Sequence, residues 1–367
     1  MSAQNADDHD HDQDHGTARR ADGLSQTTNQ AVVIHGAGDV RVEDRAVPTP
    51  GVGEVRVAVE LGGICGSDLS YYRKGAVGDF KVTAPMVLGH EIIGLTHEVG
   101  GSVKNVDAGA RVVVDPSSPC QMCARCREGR SNVCERPRFL GSAATTPHTD
   151  GGFASFVIAR NENLVAIPDS LASSSAVFAE PLAVTVHAIG RAGGVRGARI
   201  LVVGAGPIGS ILVAAARAMG ADHIAATDID ASRLERATAV GADTTSMAGE
   251  QDPGTDFDIV FEASGAPSGI ADAFGRVRRG GHLVLVGLPH AGPIGVPIAL
   301  AVPREIGIMG SFRFNHTEFV TAVDLLAAGL DLSPLLTQTV DAIDAAEAFV
   351  AASAPEAMKV QLSFAPR

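Results

Sequence analysis

Between Ala31 and about Ile167, apolar residues come in short runs, several of them alternating with polar ones. "VVIHG", "DVRVEDR", "EVRVAVEL", "RVVVDP", "FASFVIA" and "NLVAIP" are separated by Gly, Pro and Asp. A period of two puts one face of a strand on a core, so this stretch predicts a compact, mainly-β unit. Near Ser174 the period changes. "AVFAEPLAVTVHAIGRAG" has helical spacing and stops at Gly193–Gly194. Strand and helix patterns then alternate: "ARILVVGAG", "PIGSILVAAARAMG", "HIAATDID" and "SRLERATAVG", followed by strands in "FDIVFEASG", "GHLVLVG" and "IGIMGSF". That order predicts a doubly wound parallel sheet with crossover helices. After Phe312 come two short helices, "HTEFVTAVDLLAAG" and "AIDAAEAFVAA", and a last strand, "KVQLSF", expected to return to the first unit. The expected division is a tail over 1–30, a mainly-β domain over 31–183, an α/β domain over 184–312 and a C-terminal return over 313–367.

Composition narrows the function classes. The chain has 367 residues, 45% of them hydrophobic, so a sizeable core is within reach. Its net charge is −13 and no basic block stands out, which argues against nucleic acid or an anionic membrane as partner. No apolar run reaches the length of a membrane span. Residues 1–30 hold six Asp and two Arg, −4 of the total charge, and read as a disordered acidic tail. Its His9, His11 and His15 are either loose metal ligands or part of a solvated face. The segment lacks the apolar centre of a secretory signal, so a reducing cytoplasm is expected, where five cysteines point to metal or catalysis rather than disulfides.

"LVVGAGPIGS" places Gly204, Gly206 and Gly209 in the spacing G-x-G-x-x-G, with Pro207 and Ile208 between the last two. The glycines follow an apolar strand and open a helix, and Asp228 ends the next strand 19 positions after Gly209. This is the fingerprint of a dinucleotide site: pyrophosphate at the helix N-terminus and a carboxylate on the adenosine ribose. Asp228 would repel a 2′-phosphate, which favours NAD over NADP, and Arg233 nearby softens that preference. The same turn without a ligand is an ordinary strand–helix connection.

Four cysteines, Cys120, Cys123, Cys126 and Cys134, follow C-x2-C-x2-C-x7-C. Four thiolates so close can complete a closed, structural zinc shell; free thiols or a redox pair are the other readings. Cys65 stands apart in "LGGICGSDL". Twenty-five residues on, "MVLGHEIIG" brings His90 and Glu91. One thiolate, one imidazole and one carboxylate would make a three-ligand zinc site with an open position, the catalytic pattern. Taken alone, a histidine such as His90 is more often a satisfied structural one, and the combination with a nucleotide fold shifts the balance.

These motifs together resemble the zinc-dependent medium-chain dehydrogenase/reductases, the zinc alcohol dehydrogenase family. "GHEIIGLTHEVGGSV" fits the family's zinc signature, and the four-cysteine lobe and "VVGAGPIG" stand at the family's places over residues 31–367. "CGSDLSYYRKGAVGDF" and "PMVLGHE" are most similar to the polyol branch, which includes sorbitol dehydrogenases and L-idonate 5-dehydrogenases. The resemblance implies a discontinuous GroES-like catalytic domain, a Rossmann cofactor domain, two zinc ions per subunit and a homodimer or homotetramer. It implies oxidation of a secondary alcohol to a ketone with hydride passing to NAD, the substrate being L-idonate, giving 5-keto-D-gluconate, or a neutral polyol such as sorbitol or xylitol.

By the same resemblance Cys65 and His90 would hold the catalytic zinc, with Glu91 a ligand or near-ligand. Glu180, in "AEPLAV", would contact the metal directly or through water. Asp68 would orient His90, and Ser67 would receive the substrate's hydroxyl proton. Tyr71, Phe80 and Arg313 would meet the substrate, although packing is an equal reading for the two aromatics. The chain departs from the family at Ser70, where many relatives carry a proton-relaying His, and at Ala76, where a basic residue is common. Arg73 and Lys74 are candidates to replace the charge missing at Ala76. A reading of another class, a non-catalytic nucleotide sensor with a metal-braced fold, is opposed by the intact Cys65, His90, Glu91 and Glu180.

Overall fold

A computed structural model of the protein describes residues 19–20, 28–250, 252–288 and 292–364. The β-rich part builds an eight-stranded, largely antiparallel sheet. Its main path runs Leu164–Ala166, Arg111–Val114, Glu91–Val99, Glu54–Gly63, Lys359–Ser363, Leu336–Asp341. Phe156–Arg160 pairs with Glu54–Gly63 off this path. The last described strand, Lys359–Ser363, therefore lies inside the first sheet, antiparallel to Glu54–Gly63 and parallel to the end strand Leu336–Asp341.

The central strand Glu91–Val99 is buried on both faces. Strand alternation sends Ile92 into one core with Val57 and Phe153, and Ile93 into another with Leu182 and Ala183 of the helix Ala179–Arg191. Glu91 shares the side of Ile93, which faces that helix. The first strand expected at Ala31 opens two residues earlier, over Asn29–Gly36. The side chain of Asn29 explains this: it donates to the Phe156 carbonyl (3.1 Å) and accepts from the Phe156 amide (2.8 Å), as a strand partner would. Within the expected tail, Arg19–Arg20 pair antiparallel with Glu98–Val99. His9, His11 and His15 lie outside the described residues.

The α/β part is a six-stranded sheet in the order Thr244–Met247, His223–Asp228, Arg199–Val203, Phe257–Glu262, Val277–Leu285, Gly307–Gly310, and every pairing in it is parallel. The fold is thus a GroES-like unit with a Rossmann doubly wound sheet. Arg199–Val203 has its sequence successor on one side and Phe257–Glu262 on the other. The order reverses there, which is where such sheets bind ligands, beyond the carboxyl ends of the strands. Among the described residues no helix is long and apolar enough to cross a membrane.

Candidate active site and zinc centres

Cys65 is the N-cap of the helix Gly66–Lys74. Asp68, in its first turn, is fully buried and holds two separate segments together. Its Oδ2 accepts from the Cys65 amide (3.0 Å) and its Oδ1 from the Gly89 amide (3.2 Å). The same Oδ1 lies 3.8 Å from His90 Nδ1, so Asp68 fixes the backbone on either side of the site and faces the imidazole without a hydrogen bond to it. Gly89 has φ +92°, and a Cβ there would fall 2.1 Å from the Phe153 ring. Only glycine lets the chain turn sharply enough to present His90. The metal-ligating atoms of Cys65, His90 and Glu91 all come within 4.8 Å of one another. Ser67 lies just inside the same helix, half-buried beside Cys65.

Lys359 completes this cluster. Its Nζ donates to both carboxylate oxygens of Glu91 (2.7 Å each) and reaches the Ile64 carbonyl at 3.3 Å. Both side chains are almost wholly buried. Burial alone would lower the Lys359 pKa, but the Glu91 carboxylate and Cys65 raise it above its usual value. Burial and the Glu91 charge push the Cys65 thiol up to about 11. Burial, with Cys65 and Glu91 adding to it, pushes Glu180 up to about 8. Thiolate, carboxylate and imidazole donors packed this tightly call for a cation among them, and the N, O and S set suits zinc.

The second cluster lies in the loop 120–134. All four sulfurs sit within 4.8 Å of one another. Cys123 Sγ is 3.5 Å from Cys126 Sγ and 3.9 Å from Cys134 Sγ. A tetrahedron with zinc–sulfur bonds of about 2.3 Å has edges of about 3.8 Å, so the cage has the right size. The Cys120 and Arg136 amides both point at Cys134 Sγ (3.3 Å each). Amides of Glu135 and Cys126 hold Cys123 down at about 6, whereas burial and the neighbouring sulfurs push Cys126 up to about 12. The five cysteines are all free thiols.

At the parallel sheet the three glycines have separate duties. Gly204 makes the turn with φ +94°, and a side chain there would strike Ser264. A Cβ on Gly209 would sit 1.8 Å from the Gly204 carbonyl, so its absence lets the helix Pro207–Ala218 close on the strand. Gly206 has nothing within 4 Å of its Cβ position, leaving open space before the helix N-terminus for a phosphate. Pro207 and Ile208 form the partly open first turn. Asp228 Oδ2 accepts from the Ala205 amide (2.7 Å) and Oδ1 from the Asp230 amide (3.0 Å). Arg233 stands 3.8 Å from Asp228 and donates to the Pro355 carbonyl (2.9 Å).

The residues expected to meet substrate lie in different surroundings. Arg313 is half-buried, with its guanidinium 4.2 Å above the Phe139 ring, and that ring packs on His90 at 5.5 Å. Burial lowers its pKa, and Glu180 acts against that. Among the described residues no carboxylate lies within ion-pair distance of it. Tyr71 is buried, with its hydroxyl accepting from the Ala143 amide (3.0 Å). Phe80 is exposed on the small hairpin of Ala76–Val77 and Phe80–Lys81. Arg73 donates to the Ser353 carbonyl (2.9 Å), and the cross-strand partner of Ala76 is Lys81.

Residues 51–169 match the family described as "Alcohol dehydrogenase GroES-like domain", and residues 207–328 match "Zinc-binding dehydrogenase". The chain belongs to this family of zinc-dependent medium-chain dehydrogenases. Sorbitol dehydrogenase of Bacillus subtilis is 37% identical over 336 residues, covering 87% of this chain and 94% of that protein. L-idonate 5-dehydrogenase (NAD(P)(+)) of Escherichia coli is 37% identical over 349 residues, covering 92% and 100%. The crystal structure of L-idonate 5-dehydrogenase from Escherichia coli superposes with a TM-score of 0.87 at 36% identity, over 95% of this chain and 100% of that one. A zinc-binding dehydrogenase from Sinorhizobium meliloti, solved bound to NADP, gives 0.85 at 28% identity, over 92% and 100%. Zinc and a nicotinamide dinucleotide are accordingly this protein's cofactors, and the two cysteine-containing clusters and the glycine turn fit them.

Proposed function

We propose that this protein oxidises a secondary alcohol of a sugar acid to a ketone, with NAD as hydride acceptor and L-idonate, giving 5-keto-D-gluconate, as the preferred substrate. The observation that carries the anionic substrate is Arg313: a half-buried guanidinium with no acidic partner among the described residues, stacked on the ring that touches His90. A cation so placed is suited to a carboxylate in bidentate fashion. The likeness to L-idonate 5-dehydrogenase over 95% of this chain is compatible with that choice, and sorbitol dehydrogenase at equal sequence identity makes a neutral polyol the alternative.

Cys65, His90 and Glu91 are the catalytic zinc ligands in this reading, with Glu180 close by, and the four-cysteine cage holds a structural zinc. Bound there, the metal supplies a Lewis acid that lowers the pKa of a substrate hydroxyl, and the dinucleotide supplies the hydride acceptor. Ser67 receives the hydroxyl proton. Asp68 holds the Cys65 and Gly89 backbones, and so the spacing of thiol and imidazole. Lys359 fixes Glu91 and opposes the burial that raises its carboxyl pKa. Gly204, Gly206, Pro207, Ile208 and Gly209 bind the pyrophosphate, and Asp228 takes the adenosine ribose and disfavours NADP. Since Ser70 is a poor base, the proton leaves through water. The edge strand Gly307–Gly310, which among the described residues pairs only with Val277–Leu285, and the exposed Ile298, Leu300 and Val302 that precede it in the chain support a homo-oligomer.

The test is a panel of sugar acids and polyols followed by NADH absorbance. L-idonate should exceed sorbitol in kcat/KM. Arg313→Met should lower the idonate value by about tenfold or more, the loss of one charge-assisted contact, and the sorbitol value less. Equal losses would mean that Arg313 reads hydroxyls, and sorbitol or xylitol would then replace idonate.

A further inference from the structure

Arg313 has φ +52°, in the left-handed region that a residue with a side chain adopts only at a cost. Something outside the residue must hold it there. The restraint comes from the four-cysteine lobe. In the turn Ser131–Val133, between Cys126 and Cys134, Asn132 reaches across 180 residues of sequence, and its Nδ2 donates to the Phe312 carbonyl (2.9 Å), on the peptide bond that leads into Arg313. The same Nδ2 lies 3.3 Å from His187 Nε2. His187 Nδ1 faces the Glu318 carboxylate at 2.9 Å and 3.0 Å, so the imidazole proton belongs on Nδ1 and Nε2 is an acceptor. Both protons of the Asn132 amide are thereby used.

Glu318 in turn accepts from the Asn315 amide (2.7 Å), and Asn315 Oδ1 accepts from the Glu318 amide (3.0 Å), the capping box that opens the helix His316–Ala327. Residues 312–315 are thus pinned at both ends, by Asn132 before Arg313 and by Glu318 after it. The lobe also touches Arg313 from below. Its base is closed by the pairing of Ser117–Ser118 with Arg138–Phe139, and Phe139 is the ring under the guanidinium and against His90.

We propose that the cysteine lobe sets substrate preference by positioning Arg313, with Asn132 as the positioning residue. The lobe's role thus extends from bracing its own loop to holding the group that reads the substrate's charge. This rests on the reading of Arg313 as a substrate contact. Asn132 touches no reacting atom, so its loss acts on substrate affinity and leaves the chemical step alone.

Asn132→Asp is the sharpest variant, because it keeps the shape and removes both N–H donors. With the best acid substrate it should raise KM by about tenfold, the size of one charge-assisted contact, with kcat within about twofold of the parent. The KM for the dinucleotide and the zinc content should not change. Asn132→Ala should behave like Asn132→Asp, and neither should add to Arg313→Met in a double variant. If Arg313→Met leaves every substrate unaffected, the substrate reading of Arg313 falls, and this inference with it. If Arg313→Met raises KM but Asn132→Asp does not, or if their effects multiply, the positioning role alone is overturned. A fall in melting temperature and zinc content with no change in KM would also overturn it, since Asn132 would then serve only the lobe's stability.

Discussion

Gly63 offers a direct test of how tightly the catalytic cluster is built. It ends the strand Glu54–Gly63 and stands opposite Glu91 in register. Its φ is not positive, so alanine suits the backbone and would by itself stabilise by about 0.4–1 kcal/mol through the unfolded chain. The space does not suit it. An added Cβ would sit 2.1 Å from Glu91 Oε2 and 2.8 Å from Val177 Cγ1. To reach an ordinary contact of 3.4 Å the carboxylate must retreat by roughly 1.3 Å, the difference of 3.4 and 2.1. That retreat breaks the paired bonds from Lys359 at 2.7 Å and shifts a zinc ligand of the proposed site. Overpacking typically costs about 1–3 kcal/mol, more than the backbone gain, so the clash wins. A misplacement of about 1 Å at a reacting centre can cost about 100-fold in rate. Gly63→Ala should therefore fold with a lowered urea midpoint and an unchanged slope, and turn over about 100-fold more slowly. Initial rates of NADH formation, urea titration and metal analysis on the same preparation measure these together. A variant within about threefold of the parent rate, with both zincs retained, would show that the carboxylate position does not matter and would refute the assignment of Glu91.

Three other outcomes are expected. Lys359→Met should destabilise the protein by about 3–5 kcal/mol, because it strands a buried carboxylate, and Lys359→Met with Glu91→Gln should recover most of that loss in denaturant titrations; a double variant no more stable than the single one would contradict the pairing. Cys123→Ser should lose one zinc per chain and lower stability, while Cys65→Ser should abolish turnover in a protein that still folds; one zinc or none in the parent protein would sink both expectations. Asp228→Ser should shift the ratio of NAD to NADP kcat/KM toward NADP by about tenfold, and a parent enzyme that prefers NADP at equal concentration would contradict the role of Asp228.

The chemistry was legible in the sequence where it is local. The glycine turn and the cysteine quartet are each written in one short stretch, and short spacing dictates which atoms can meet. Cys65 and His90 were legible through the family's motifs, since nothing in the chain between them shows that they converge. Lys359 was missed because its bond to Glu91 spans 268 positions and depends on the pairing of Lys359–Ser363 with Glu54–Gly63; the available signal was a lysine entering the strand "MKVQLSF". The substrate-side aromatics were the least legible. Tyr71 turned inward and Phe80 outward, and an aromatic residue beside a glycine-rich turn satisfies either fate. Among the elements, the strand Leu336–Asp341 reads as "LTQTVD", too polar to announce itself, and the helix Gly66–Lys74 is short and carries Ser, Asp and Tyr in place of an apolar stripe.

The placing of the final strand has a consequence for how the protein is made. The ribosome releases the chain from its N-terminus, so all six strands of the parallel sheet are available before Lys359–Ser363 can join the sheet that carries Glu91. Until Lys359–Ser363 inserts beside Glu54–Gly63, that sheet has an unfilled edge and Glu91 lacks the ammonium of Lys359. A chain that stops before Lys359 should thus be able to complete its nucleotide half, while its catalytic half lacks the strand and the charge that hold Glu91.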